Sequence, residues 1–566
     1  MSEALSRTGA RILVEALRVH GVDLAFCVAG ESYIDILDAL YDCREAIRLI
    51  TCRHEASAAN MAEAYGKLTS RPGVCLVTRG PGACHAAIGL HTAYQDSTPL
   101  LLLVGQIPRG HQEREAFQEI DYRRMFGELA KWVAQIDQAE RVPEMIHHAL
   151  HTAVSGRPGP VVLALPEDML GERSTVADGG PYRPARPHPG RRDMAELRRL
   201  LAAAERPLML LGGGGWSDAA CFEIAAFAAA NGLPVCCGFR RHDLFDNTDS
   251  NFAGELGIAP NPKLIRRIEE ADLLLVVGAR LGEVTTQGYT ILGAPEPGRT
   301  LIHVHAGAEE LGRVFRPTLA VLSGMPEFAA AAAALEPVDG GRWRAWSEAA
   351  RRDYLENLAP RPYEGAFDPG RAMLWLRERL PPDAIVTVDA GNFSGWPQRF
   401  LQFRRPGRLL GPTSGAMGYS VPAGVSASLV HPGRMVVSFV GDGSFLMGAH
   451  ELATAVGHGA KPIILVFNNG MYGTIRMHQE RLYPDRVIAT DLTNPDFAAL
   501  ARAYGAYGER VERTEDFAPA FDAAAAAEGP AVLELAIDPE LITTRTTLSA
   551  IRDQARARLA EAGEAP

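Results

Sequence analysis

The apolar residues of this chain fall in short unbroken runs, and two of these frame its most informative stretch. Residues 435–440 (Met-Val-Val-Ser-Phe-Val) and 462–467 (Pro-Ile-Ile-Leu-Val-Phe) are too short for helices and lack polar alternation. Such runs predict strands buried on both faces, hence parallel sheets covered by helices. Between them, 445–458 has helical spacing and completes a βαβ unit. The same reading places strands at 46–52, 73–78, 99–104 and 161–165, with helices at 56–68 and 83–94, in a first unit. Strands at 207–211, 273–278 and 300–304 and an Ala-rich helix at 328–335 form a second. A third runs from the strand 384–388 to the strand 531–535 and contains the stretch described first. Pro- and Gly-containing segments at 172–192 and 337–370 read as connections. The predicted fold class is α/β: three consecutive doubly wound parallel-sheet domains over 1–171, 193–337 and 371–545. A charged, exposed helical tail is expected at 546–566, and three units of similar size suggest a chain built by duplication.

Composition narrows the function classes. At 566 residues, 47% hydrophobic and 22% charged, the chain reads as a globular enzyme, neither disordered nor fibrous. A net charge of −11 without any Lys/Arg run argues against a nucleic-acid partner. The eight cysteines have no CxxC spacing and none lies beyond Cys237, so they read as thiols of a reducing compartment. The N-terminal stretch lacks a signal-peptide pattern, and no apolar run approaches the ~18 residues of a membrane span. The expected location is cytoplasmic, with no membrane partner.

The chemistry lies at the strand ends. The 435–440 run stops at Gly441-Asp442-Gly443-Ser444, and the 462–467 run at Asn468-Asn469. Neighbouring strands of a βαβ unit thus deliver oxygen ligands at the carboxyl edge of a sheet, where open α/β folds bind ligands. Asp442 is a hard anionic donor and Asn469 a neutral one, a pair suited to Mg²⁺ holding a diphosphate. The glycines let backbone approach phosphate, and Ser444 sits where a helix N-terminus adds N–H donors. Gly-Asp-Gly after a strand is by itself more often only a turn; the second strand end, one crossover helix away, gives it meaning. Gly212-Gly213-Gly214-Gly215 follows a strand too, but it lacks GxGxxG spacing and an acidic partner, so close helix packing is expected there.

Gly441-Asp442-Gly443 together with Asn468-Asn469 resembles the fingerprint of thiamine diphosphate enzymes. Arg53-His54-Glu55, Thr78-Arg79-Gly80-Pro81-Gly82-Ala83, Gln95-Asp96-Ser97-Thr98-Pro99 and Ala116-Phe117-Gln118-Glu119 are similar to the pyrimidine domain of acetolactate synthases. Gly415-Ala416-Met417-Gly418-Tyr419 and Glu451-Leu452-Ala453-Thr454 resemble their last domain. The resemblance implies pyrimidine-binding, central and diphosphate-binding domains in that order. It also implies a homodimer or homotetramer whose sites are shared between chains. Glu55 would then meet N1′ of the aminopyrimidine, its protonated form favoured in a dry pocket. The Gly415 carbonyl would hold the 4′-amino group and Met417 would prop the bent cofactor. Asp442, Asn469 and the Met471 carbonyl would bind Mg²⁺, and Gly391, Asn392, Phe393, Gly443, Ser444 and Tyr472 would lie near the diphosphate. The implied activity is decarboxylation of a 2-oxo acid and ligation of the product to an acceptor carbonyl. A non-ligating decarboxylase or carbon–carbon lyase, a flavin oxidase, and a non-catalytic cofactor-binding chain are the alternatives.

The candidate catalytic residues are Glu55, His85, Gln118 and His478. Three positions depart from the family: Arg79 replaces a serine, His85 an asparagine, and His478 a tryptophan over the substrate. Arg79, His85, Arg476 and His478 thereby become candidates for binding a polar or anionic substrate. Gly254-Glu255-Leu256-Gly257 and Arg280-Leu281-Gly282-Glu283 depart from the family's flavin contacts, so FAD is expected to be absent.

Overall fold

The structure is a computed structural model describing residues 6–404 and 409–563. Three six-stranded sheets follow one another along the chain. In the first, the strands lie in the order Arg48–Thr51, Leu24–Cys27, Gly73–Val77, Leu100–Gln106, Pro160–Pro166 and Trp132–Gln135, all parallel. The third runs Leu409–Leu410, Ile385–Val388, Val436–Gly441, Ile463–Asn468, Ala531–Ala536 and Tyr507–Val511, again all parallel. Counted by occurrence within each sheet, both orders are 2-1-3-4-6-5. The central sheet is different. Its order, Phe252–Glu255, Val235–Cys237, Pro207–Leu211, Leu273–Val277, Thr300–His305 and Leu319–Leu322, is 3-2-1-4-5-6, the arrangement of dinucleotide-binding folds. The sign of duplication is therefore confined to the first and third sheets.

Burial on both faces is what the unbroken apolar runs provide. Leu101 and Leu103 enter one core with Leu13 and Ile146, from the helices Gly9–Val19 and Val142–Val154. Leu100, Leu102 and Val104 enter another with Ala58 and Met61 of the helix Glu55–Thr69. That second core continues across the domain boundary, taking in Val425 and Leu429 of the helix Ser420–Val430 together with Ala455 and Ala460. Inside this junction the buried Glu63 carboxylate accepts the Tyr419 hydroxyl at 2.5 Å and the Thr98 hydroxyl at 2.7 Å.

The structure corrects several local expectations. Strand Leu24–Cys27 lies inside the first sheet, ahead of the strand read as the first. The helix expected over 445–458 breaks into Asp442–Gly448, a 3-10 turn Ala449–Glu451, and Leu452–His458. The break comes where Gly448 meets the chain at Gly418 and Pro422: a Cβ there would lie 3.1 Å from Pro422 Cδ and 3.3 Å from the Gly418 oxygen. It turns the buried Glu451 carboxylate toward the first domain, where it accepts the Arg53 and His54 N–H groups at 3.1 Å each. The connection at 337–370 contains a 14-residue helix, Arg344–Asn357, whose Tyr354 ring stands edge-on to Phe252 at 4.9 Å. Among the described residues no helix is long and apolar enough to cross a membrane.

The tail is not a free surface helix. Leu548–Ala562 buries Leu548 and Ile551 against Met471 and Met477. Its Arg552 donates from Nε and Nη2 to the buried Glu480 carboxylate, at 2.9 and 2.7 Å, and holds that carboxyl down to about 2. Arg552→Ala is expected to cost roughly 2–3 kcal/mol, less than the 3–5 of a buried charge left wholly unpaired, because Arg476 remains beside Glu480. Because the folded carboxyl titrates below its ordinary value, the pair contributes fully above the usual carboxylate range. Its contribution is lost as pH falls from about 4.5 toward 2. Denaturant unfolding of both proteins at pH 7 and pH 3 checks this. The gap between them should narrow at the lower pH.

Candidate active site

The carboxyl edge of the third sheet opens into one cavity of about 230 Å³. Three of its walls are strand ends. Ile385–Val388 passes through Asp389 to Ala390 and Gly391, whose φ of +137° is open to glycine and lets the Phe393 ring close over it. Val436–Gly441 runs straight into the helix Asp442–Gly448, so Asp442, Gly443 and Ser444 are its first residues. Ile463–Asn468 delivers Asn469 and Met471, with Tyr472 beyond. Gly415, at φ +71°, and Met417 enter from a loop. All the third-domain residues expected to hold cofactor or metal (Gly391, Asn392, Phe393, Gly415, Met417, Asp442, Gly443, Ser444, Asn469, Met471 and Tyr472) line this single space.

Asp442 is tightly held. Its Oδ1 accepts the Gly443 N–H at 2.9 Å, and its Oδ2 accepts the Gly470 N–H at 2.8 Å and the Asn494 Nδ2 at 2.9 Å. Burial pushes the carboxyl up, against the pull of these donors. Asn494 also donates to Asn468 Oδ1 at 3.0 Å, so it joins the two ligand-bearing strand ends. No motif signals it. Asp389 is a second residue the sequence reading missed, although it ends its strand much as Asp442 does. Its buried carboxylate accepts Gly418 N–H at 3.0 Å and Tyr419 N–H at 3.3 Å, and burial pushes it up to about 6. Arg240, from the central domain, donates to the Pro412 and Asp389 carbonyls at 2.6 and 2.8 Å. Together these two residues fix the loop that carries Gly415 and Met417.

The residues fit a metal-bound diphosphate. Asp442, Asn469 and the Met471 carbonyl offer only oxygen, as Mg²⁺ requires. Ser444 presents a buried hydroxyl without a hydrogen-bond partner into the cavity wall, an atom a phosphate oxygen would satisfy. A Cβ on Gly443 would lie 2.5 Å from the Tyr472 ring, so glycine is needed for that close approach.

Glu55, His85 and Gln118 stand elsewhere, at the carboxyl edge of the first sheet. Glu55 opens the helix Glu55–Thr69, and its Oε2 lies 2.8 Å from Nδ1 of His85, on the helix Pro81–Asp96. Gln118, at φ +67°, packs on Gly80 at the turn before that helix. His54, Glu55 and His85 bring ligand-type atoms within 4.8 Å of one another. His54, however, spends its Nδ1 lone pair on the Ala56 N–H at 3.1 Å, which leaves its ring proton on Nε2 and no nitrogen for a metal. No first-domain residue lines the third-domain cavity, among the described residues. His478 is exposed on the helix Gly473–Leu482.

Three of the four expected substrate-binding residues are engaged by the protein's own carboxyl groups, His85 by Glu55 as above and both arginines by ion pairs. Arg79 is buried and donates to Glu167 at 2.6 Å; Arg476 is paired with Glu480 at 3.3 Å and Asp491 at 3.0 Å. In the central domain, Gly212 and Gly213 are packed against the next strand. A Cβ on Gly213 would lie 2.0 Å from the Gly278 oxygen, and one on Gly212 2.8 Å from Ala279 Cβ.

Three domain families match along the chain: thiamine pyrophosphate enzyme, N-terminal TPP binding domain, over 7–125; its central domain, over 194–332; and its C-terminal TPP binding domain, over 389–535. Fold and strand-end site thus define the class of thiamine pyrophosphate enzymes, and the first and last of the matched families are thiamine diphosphate-binding domains. The chain is similar to the acetolactate synthase large subunit of Parasynechococcus marenigrum, 33% identical over 90% of this chain and 84% of that one. It is similar to the acetolactate synthase isozyme 2 large subunit of Escherichia coli, 30% identical over 94% and 95%. It also resembles the acetolactate synthase of Mycobacterium bovis, 29% identical over 90% and 84%. The chain therefore belongs to the acetolactate synthase-like family of thiamine pyrophosphate enzymes.

Proposed function

We propose that this chain is a thiamine diphosphate- and Mg²⁺-dependent enzyme that decarboxylates a 2-oxo acid and ligates the remaining fragment to an acceptor carbonyl. The observation that carries this reading is the meeting of Asp442, Asn469, Ser444, Gly415 and Met417 in one cavity. When bound, the cofactor supplies the electron sink that a 2-oxo acid needs to lose CO₂. Asp442, Asn469 and the Met471 carbonyl would hold the metal, and the Ser444 hydroxyl would donate to the diphosphate, which Gly443 lets the backbone approach closely. Gly415 would accept the 4′-amino group, Met417 would support the ring above it, and Glu55 would hold a proton at N1′. Phe393, Trp396, Ile475 and Leu541 line the same cavity and would exclude water, which strengthens every polar interaction inside.

Glu55 reaches that cavity only from a partner copy in this reading, because the lining within one chain belongs wholly to the third domain. The assembly is therefore a homodimer or homotetramer with shared sites. Gln118, beside the Glu55 turn, and His478, on the cavity's outer helix, would act on the acceptor. One observation favours the non-ligating alternative: His478 is exposed where the family places a tryptophan over the substrate. Flavin is expected to be absent, since Gly212-Gly213-Gly214-Gly215 lacks dinucleotide spacing and the segments 254–257 and 280–283 depart from the family's flavin contacts.

A panel of 2-oxo acids with CO₂ release as the readout tests the activity, and product analysis with pyruvate separates its two forms. Ligation gives acetolactate; protonation gives acetaldehyde. CO₂ release that is indifferent to thiamine diphosphate and Mg²⁺ would overturn the reading, and a stoichiometric flavin absorption band would overturn the expectation about FAD.

A further inference from the structure

The surroundings of Glu55 are unusual in one respect: a histidine is bonded to it. His85 lies in the first turns of the helix Pro81–Asp96, which starts after Gly80, where φ of +61° turns the chain back toward Glu55. Its Nδ1 is 2.8 Å from Glu55 Oε2, and its side chain is 51% exposed against 12% for Glu55. Within one chain the carboxyl is thus largely buried while half of the side chain bonded to it is exposed.

The neighbouring titratable groups are occupied otherwise. The His54 ring is stacked on His85, centroids 4.5 Å apart, and is fixed by its bond from the Ala56 N–H. His450 approaches from the third domain, its Nε2 at 3.2 Å from the Ser57 hydroxyl, and Glu451 holds the Arg53 and His54 N–H groups. Burial lowers His54 and His450, so both are neutral near pH 7. Burial raises Tyr33 and Cys75, whose charges would face Glu55, so both keep their protons. Among the described groups around Glu55, His85 is the one whose side chain is hydrogen-bonded to the carboxyl and half exposed within one chain.

We propose that His85 is the positioning residue through which Glu55 exchanges its proton with solvent, an inference that rests on the reading of Glu55 as the N1′ carboxyl. In this relay His85 accepts the Oε2 proton at Nδ1 and releases the Nε2 proton to water. The carboxylate is left paired with the Nδ1–H tautomer, and the reverse sequence reloads it. Two protons shift, one net proton passes from the carboxyl to water, and no co-reactant is needed. An asparagine at this position, as in the family, holds a hydrogen bond but does not titrate and so relays no proton.

The test uses the full chain loaded with thiamine diphosphate and Mg²⁺, as wild type, His85→Gln, His85→Asn and Glu55→Gln. Deuterium exchange at C2 of the bound cofactor is followed by acid quench and NMR between pH 5 and 9, with cofactor affinity by calorimetry. His85→Gln and His85→Asn should each slow exchange by ~10-fold or more, the low end of an acid–base contribution. They should also lose the wild-type limb of the pH profile, while affinity changes by less than about threefold. The Asn variant keeps the test open should the Gln variant fold poorly. Wild-type rate and pH profile in both variants, with Glu55→Gln slow, overturns the role of His85 alone. Fast exchange in Glu55→Gln overturns the underlying reading of Glu55.

Discussion

Asp442→Ala is expected to abolish Mg²⁺-dependent retention of thiamine diphosphate. Of the three groups assigned to the metal, Asp442 is the one with a charge; Asn469 and the Met471 carbonyl are neutral donors that do not hold a hard divalent ion by themselves. The substitution also removes the acceptor of the Gly443 and Gly470 N–H groups and of Asn494. Each donor left unsatisfied in a buried place costs about 1–3 kcal/mol, so the loop 469–471 should loosen as well. The loss should exceed the 10- to 100-fold typical of a residue that merely orients a metal ligand, which is the effect expected of Asn494→Ala. Calorimetry with Mg²⁺ present makes the comparison. Tight cofactor binding by Asp442→Ala would sink the metal assignment, and equal losses in the two variants would mean that Asp442 only orders the loop.

The fold was legible where local pattern and tertiary burial agree. Uninterrupted apolar runs such as 435–440 and 462–467 are strands covered on both faces, and their ends carry Asp442 and Asn469 for the same topological reason. Two strands of the third sheet escaped: Leu409–Leu410 is too short to leave a run, and the edge strand Tyr507–Val511 buries only Val511. The different order of the central sheet was invisible, since strand order is set by crossovers and not by any local pattern. In the site, the residues gathered by one sheet edge were readable. Their long-range pairings were not. Arg79 and Arg476 look like free cations until Glu167 and Asp491, far along the chain or across a loop, are seen to neutralise them. Asn494 carries no motif, and its role emerges only from its two bonds to different strand ends. The tail looked wholly polar because its buried residues Leu548, Ile551 and Ala555 are few among many charges.

The central claim is that Glu55 and Asp442 serve one thiamine diphosphate site although, among the described residues, none of the first domain lines the cavity at Asp442 within a chain. Mixing a Glu55→Ala chain with an Asp442→Ala chain tests it most directly. Each variant alone should be inactive, since every site lacks either the N1′ carboxyl or the charged metal ligand. After subunit exchange, random pairing makes about half of the dimers mixed, and each mixed dimer has one site with both native residues and one with neither. Activity should then rise to roughly a quarter of wild type by that two-site arithmetic, in step with the mixed dimers counted by native mass spectrometry. If both residues belonged to a site within one chain, no pairing could restore it. Activity that stays at background once mixed dimers have formed would contradict the shared site.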